Sequence, residues 1–375
     1  MRRTSHRLKN RDLHGGHDPY DQGKADYRLF RSISKLTGSK RSDVLLGPMF
    51  GADFGVIDTG NGRVLAISTD PIYINQQMEL DNAAWFAFHI VVTDVALSGL
   101  APSHLALDWN LPPGLDDSIF LTISRVFHAE AKALNMSIVT GHTGRYGGCK
   151  APILGAGTSI AVGRKENLIL PTGMRAGDRL ILTKYPALET AILLSYEFDD
   201  LLRENVGGST LTRLRKKIRM LSPLNEAAVV SSAGGVSAMH DASERGIYGA
   251  LHELSKATGL SFTIEPDNIA MDSDVKKVAD FLRFNPLESS SEGTLILTAR
   301  EERVPQIVRK LASAGVRASV CGTVIQGRNS VAEVTDDGRL RAVGMPLTDG
   351  YLIARHAAKR ILRTAGSNSA HQISD

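Results

Sequence analysis

The sequence predicts an α+β protein built as two domains, and three observations predict it. The chain has 375 residues, enough for two hydrophobic cores of ordinary size. A Gly- and Pro-bearing connection, Pro171-Thr-Gly-Met-Arg-Ala-Gly177, divides it near the middle. Beyond that connection helical and strand-like runs alternate, as they do in an α+β or α/β domain.

Taken in order, residues 1–25 are polar and rich in Gly and His, and read as a mobile segment. Its pair His14-Gly-Gly-His17 is the sort of spacing that arises without metal binding in a tail. Asp26 to Leu36 has helical spacing through Tyr27, Leu29, Phe30, Ile33 and Leu36, and Gly38-Ser-Lys-Arg-Ser42 breaks it. Strands follow at about 44–50 and 63–69. The run 81–99 is apolar nearly all round and predicts a buried helix, stopped by Gly99 with Pro102 beyond. Ser103 to Trp109 is strand-like. Asp116 to Leu134 is an amphipathic helix whose first turn carries Asp116 and Asp117, where acids suit the helix dipole. Ser137 to Thr140 is a short strand ending in Gly141-His-Thr-Gly144, and Ala151 to Val162 is another strand.

In the second half a strand over Arg179–Thr183 precedes helices at 187–196, 211–220 and 225–233. The second of these carries Arg213, Arg215, Lys216, Lys217 and Arg219, read as a solvated face. Ser237-Ala-Met-His240 leads into Asp241, repeating the strand-to-acid pattern of Asp70 in the first half. A helix at 246–258 ends at Gly259. Strands near 260–264, 294–298 and 317–324, a helix at 301–314 and a last helix from Tyr351 to Leu362 complete the chain.

Composition excludes several classes. Hydrophobic residues make up 42% and the formal charge is +4, with a sequence pI near 9.0. Part of that excess sits in Arg2, Arg3, Arg7, Lys9 and Arg11, a solvated basic tail, and no aromatic–basic interleaving supports nucleic-acid binding. The two cysteines, Cys149 and Cys321, give neither a disulfide framework nor a metal spacing. No apolar run has membrane-spanning length and no signal-peptide core is present, so a cytoplasmic protein is expected. A P-loop, a strand-linked GxGxxG and a nucleophile elbow are all missing.

Chemistry concentrates between Gly51 and Asp94. Asp53 lies in a Gly-bracketed turn, Asp70 follows the apolar run Val64–Thr69, and Asp94 interrupts the apolar helix. An acid beside apolar elements is costly unless paired, hydrogen-bonded or bound to metal. Three of them converging would offer Mg²⁺ the oxygen-rich surroundings it prefers. The glycines after residue 140 let backbone approach a ligand, and successive N–H groups there would cradle an anion. His142, at that strand end, could serve as base, metal ligand or phosphate donor.

These residues carry a resemblance. Gly51-Ala-Asp-Phe-Gly-Val56 resembles the GDDAAV turn of the superfamily that holds aminoimidazole ribonucleotide synthetase (PurM), thiamine-monophosphate kinase, selenophosphate synthetase and HypE. Ser68-Thr-Asp70 resembles its TTD. Val92-Thr-Asp-Val-Ala-Leu-Ser-Gly99 with Ala101-Pro102 resembles VNDLAVMGA-x-P. Thr140-Gly-His-Thr143 resembles GDT, Asp241-Ala-Ser-Glu-Arg-Gly246 resembles DPTRGG, and Ser291-Glu-Gly-Thr294 resembles NEG. The six occur in family order over roughly 45–345, and the chain is most similar to HypE-like proteins.

The resemblance implies a PurM-like fold: a basic segment and helix over 1–43, an N-terminal ATP-binding domain over 44–168, a C-terminal domain over 169–345, and a helix and tail over 346–375. The N-terminal sheet is expected to dimerise into a barrel-like core, making a homodimer with ATP and Mg²⁺ near the interface. Asp53, Asp70, Asp94 and Asp241 match the metal acids. Asp94, His142 and Asp241 are the expected catalytic residues. Asp53, Thr69, Asp70, Thr93, Gly141, Thr143, Glu292 and Gly293 are the expected nucleotide contacts. The implied activity is phosphorylation or phosphate activation of an unidentified small molecule. The alternative is a catalytically weakened nucleotide-binding maturation or regulatory protein. Differences from the family pattern stand at Ala52, Thr93, His142, Glu244 and Arg245. HypE-type chains close on a reactive Cys; here the chain runs past Met345-Pro346 to Asp375 without one, so ligand synthesis on a terminal sulfur is not expected.

Overall fold

A computed structural model describes residues 27–371. The His14/His17 segment and the last four residues lie outside the described residues. The first half contains α1 (Tyr27–Ile33), β1 (Val44–Leu46), β2 (Gly55–Gly60), β3 (Arg63–Tyr73), α2 (Leu80–Ala96), β4 (Pro102–Leu111), α3 (Asp117–Ala133), β5 (Ser137–Arg145) and β6 (Ile153–Arg164). Its strands form one open six-stranded sheet in the order β1-β2-β3-β6-β4-β5, and no closed barrel forms among the described residues. All pairings are antiparallel except β4 with β5, which α3 connects as a crossover.

The helix α2 is the centre of the molecule. Twelve of its residues are buried, from Ala83 to Ala96. One side lies on β3 and β6, another on α3, and its far end meets elements of the second half. A helix covered on all sides needs apolar residues all round, which is what its sequence supplies. The helix α3 is covered on one side only, and buries Ile123, Phe127 and Ala131. Asp116 caps it by accepting a hydrogen bond from the Ser118 N–H at 2.7 Å.

The second half contains β7 (Arg179–Thr183), α4 (Leu188–Glu197), α5 (Asp199–Leu202), α6 (Gly208–Lys216), α7 (Leu224–Ala233), β8 (Val236–Asp241), α8 (Gly246–Thr258) and β9 (Ser261–Ile264). After these come α9 (Ser273–Leu282), β10 (Leu295–Ala299), α10 (Val304–Ser313), β11 (Ala318–Ile325), β12 (Val331–Val334), β13 (Leu340–Val343) and α11 (Gly350–His371). Its sheet runs β13-β12-β9-β11-β7-β10-β8, with β12 and β9 the one parallel pair. Helices cover both faces of the middle strands, so every residue of β10 is buried.

Several elements differ from the sequence reading for physical reasons. The strand β3 does not stop at residue 69 but continues through Asp70 and Pro71, which lie opposite Gly157 and Ala156 of β6. Pro71 is tolerated because pairing with β2 ends at Gly55–Ile67, so that side of β3 needs no N–H there. The glycines 141 and 144 do not make a turn: they continue β5, paired with Leu107 and Asn110 of β4. The basic helix is not simply solvated. Arg213 binds Asp274 at 2.6 Å and Lys217 binds Asp272 at 2.6 Å, at the start of α9, a helix the sequence reading left out. Arg215 lies over the Tyr196 ring at 4.5 Å and Arg219 over Trp85 at 4.4 Å.

Candidate functional site

The loop before β2 leaves the first sheet and meets the second domain. Gly51 has φ +81°, and a Cβ placed on it would stand 2.5 Å from the carbonyl oxygen of Glu253 in α8. Only glycine fits so close to another backbone in this conformation. That contact carries Asp53 to the end of β8. There His240 Nε2 lies 3.2 Å from Asp53 Oδ2 and 3.7 Å from Glu253 Oε2. The other ring nitrogen, Nδ1, stands 2.6 Å from the carbonyl oxygen of Asp241, so Nδ1 carries the proton and donates. The four side chains are only 2% (His240), 3% (Asp241), 10% (Glu253) and 11% (Asp53) exposed. One ligating atom each from Asp53, His240 and Asp241 lies within 4.8 Å of the others. Asp241 Oδ1 is buried without a hydrogen-bond donor among the described residues.

A groove of about 420 Å³ opens beside Asp53. Its walls include Phe30, Leu46, Val56 and Ile67, and Ser68 and Thr69 of β3 sit with Asp53 among the lining residues. Thr69 shares a hydroxyl–hydroxyl hydrogen bond with Thr158 at 3.0 Å. Ser68 faces Ser159 across the strands, both buried, and neither hydroxyl has a hydrogen-bond partner among the described residues. Asp70 continues the strand past Thr69. Asp94 occupies the last turn of α2, where the helix dipole disfavours an anion and so favours a cation nearby. Thr93 is buried, and its hydroxyl donates to the His89 carbonyl at 2.7 Å.

A second acidic recess lies at the start of α4. Glu189 Oε2 accepts a hydrogen bond from the Glu292 N–H at 2.9 Å. Glu189 keeps part of its surface open, yet the recess is deep enough that desolvation, reinforced by Asp349, Glu244 and Asp241, pushes its carboxyl up to about 8. Gly293 has φ +90°, and a Cβ on it would stand 2.3 Å from the Met220 carbonyl oxygen. It therefore serves a tight backbone contact beside Glu292. The amine of Lys184, which also feels Glu292, pairs with Glu226 at 2.6 Å and donates to the carbonyls of Met220 and Ser222 at 2.7 Å each.

The structure separates the third group of expected residues from these two. Gly141, His142 and Thr143 lie on β5, and Asp70, Gly157, Leu107 and Gly141 form one row across the sheet. Three strand spacings, about 14 Å, part Asp70 from Gly141. His142 is exposed and bonded to the Tyr146 hydroxyl at 2.6 Å. Within one chain it does not reach the Asp53 groove. His240, Glu253, Glu189 and Asp349 were not singled out in the sequence. His240 stood next to the expected Asp241, and Glu189 in the first turn of a helix, but only the folded topology brings them to the acids.

Residues 51–162 match the family of AIR synthase related proteins in its N-terminal domain, and residues 175–335 match its C-terminal domain. The chain belongs to this family. A putative hydrogenase expression/formation protein of Methanocaldococcus jannaschii is 25% identical over 261 residues, covering 69% of this chain and 74% of that protein. HypE crystallised with ATP has 20% identity, covers 89% of this chain and 98% of its own, and superposes with a TM-score of 0.62. ThiL in complex with AMPPCP and TMP has 18% identity, covers 83% and 93%, and superposes with a TM-score of 0.65. These likenesses establish the two-domain mixed fold. Within the described residues no helix is long and apolar enough to cross a membrane.

Proposed function

We propose that this AIR synthase related protein binds ATP with Mg²⁺ and phosphorylates or phosphate-activates an oxygen of a small-molecule acceptor. The observation that carries this reading is the meeting of Asp53, from the first domain, with Asp241, from the second, beside a groove whose lining includes Thr69. The family, and the ATP and AMPPCP held by HypE and ThiL, support the choice of nucleotide. The residues fit Mg²⁺: the donors of Asp53, Asp70, Asp94 and Asp241 are carboxylate oxygens, and Asp94 sits where a helix end favours a cation. The ion supplies charge neutralisation for the phosphates. The chain supplies positioning, the main requirement of phosphoryl transfer. Thr69 offers its hydroxyl along the groove, and Glu292 and Gly293 are the expected nucleotide contacts from the second domain.

The same reading makes the protein a homodimer. Strand β5 is exposed along its length, with Ile138 43% and Val139 54% exposed. A partner seated on it would bring Gly141, His142 and Thr143 of one protomer toward the nucleotide of the other. Calorimetry tests the nucleotide half. ATP is expected to bind with Mg²⁺ present, and Asp70→Asn or Asp94→Asn to weaken that binding roughly tenfold or more. Equal affinity in EDTA, or no effect of both substitutions, would reject it.

A further inference from the structure

The groove beside Asp53 has two unlike parts. At one, Asp53 meets Asp241 and Thr69 carries a hydroxyl, surroundings suited to phosphates and their cation. Away from these the floor is apolar. Ile67, Gly55, Ile57 and Val44 succeed one another across β3, β2 and β1, a span of two strand spacings or about 10 Å. Gly55 keeps that floor flat. A Cβ on it would stand 3.3 Å from the Leu46 carbonyl oxygen and 3.7 Å from Ile67 Cγ2, so no side chain rises between them. Two of the lining residues carry aromatic rings, Phe30 and Phe54, and Phe54 is only 4% exposed, within the core. Phe30 comes from α1, outside the sheet. None of the α1 residues is buried, and a helix of seven residues does not hold itself in water. Its place is set by rings: Tyr27 and Phe30 stand edge-on to Phe50 at 5.0 Å and 5.6 Å. The amine of Lys256, on α8 of the second domain, lies 4.4 Å from the Tyr27 ring and 5.2 Å from Phe50.

We infer that Phe30 is the base-stacking wall of this groove, with the purine of the nucleotide lying between its ring and the bare floor at Gly55. A flat apolar slot with one aromatic face suits a planar heterocycle, whose π-face stacks on such a ring. The slot leads from the base to the acids, which places the phosphates toward Asp53 and Asp241. Lys256 then bears on the base through Tyr27 and Phe50, so the wall of a first-domain groove is held from the second domain. The inference rests on the nucleotide reading and adds to it the residue that grips the base.

The test uses the full-length chain with Mg²⁺ and two probes, ATP and inorganic tripolyphosphate, followed by calorimetry. Phe30→Ala is expected to weaken ATP roughly tenfold and to leave tripolyphosphate unchanged, because only the base is lost from contact. Phe30→Trp should restore ATP affinity. Its indole fluorescence should change with ATP and not with tripolyphosphate, measured against the wild type, whose Trp85 and Trp109 are each 5% exposed. Since α1 has no buried residue, both variants should keep the wild-type fold, and circular dichroism checks it. Equal loss of ATP and tripolyphosphate in Phe30→Ala, unchanged ATP affinity, or an indole in Phe30→Trp that does not respond to ATP would each overturn the base slot. A wild type that binds ATP beside an unaffected Phe30→Ala removes Phe30 alone. A wild type that binds neither probe removes the nucleotide reading and the slot with it.

Discussion

His240 Nε2 lies 3.2 Å from Asp53 Oδ2, across the boundary between the two sheets. Neither residue's own element sets that distance. Gly51 does, by letting its loop press on the backbone of α8 at Glu253. The junction is therefore a packing feature as well as a chemical one, and the two can be separated by substitution at glycine.

Gly51→Ala is expected to destabilise the protein by about 2 kcal/mol or more, because it combines a strained φ with a collision against a carbonyl that cannot move freely. Gly60→Ala is the control. Gly60 has nearly the same φ, +83°, but open space around it. Its cost should stay near 1 kcal/mol, the conformational part alone. Denaturant midpoints of the two variants give the comparison. Equal losses would mean that the contact with Glu253 contributes nothing.

Much of the fold was legible because burial leaves period and composition in the sequence. The all-apolar run of α2 and the alternating second half are of this kind. What escaped was set by tertiary context. The strand β2 carries Asp58, Thr59 and Gly60 toward a turn, and reads as loop until β3 is placed beside it. The extension of β5 through two glycines depends on the close approach of β4: a Cβ on Gly141 would meet the Leu107 carbonyl oxygen at 2.3 Å. Among site residues, Asp53 and Asp241 were visible as acids ending or interrupting apolar elements. His240 and Glu253 were not, since a histidine within a strand and a glutamate within a helix carry no local sign of convergence.

The exposed β5 leads to a second prediction. Val139→Asp places a charge at the centre of the face proposed for self-association. Sedimentation is expected to show a dimer for the wild type at micromolar concentration and a monomer for the variant, with unchanged helix content. Strand β5 is the edge of the six-stranded sheet, so the substitution leaves the pairing of the other strands in place and the folded monomer should survive. A wild-type monomer would remove the dimer from the proposed function. So would a variant that still dimerises.

The third prediction concerns Glu189 and pH. Its carboxyl ionises near pH 4.5 in the unfolded chain but is pushed up to about 8 in the folded one, first by desolvation and then by Asp349, Glu244 and Asp241. Below about pH 4.5 both states hold the proton and the residue costs nothing. Between 4.5 and 8 the unfolded state releases it while the folded state keeps it, so stability falls as pH rises; above 8 the full cost is present. Glu189→Gln keeps an oxygen for the Glu292 N–H, which now lies 2.9 Å from Oε2, and removes the titration. The variant should be more stable than wild type by about 2–4 kcal/mol at pH 9, with the gain shrinking to nothing near pH 4. Urea unfolding at several pH values measures the difference directly. A gain independent of pH would point to packing rather than charge, and a loss at pH 9 would mean that the ionised carboxylate is held by a cation in the folded protein.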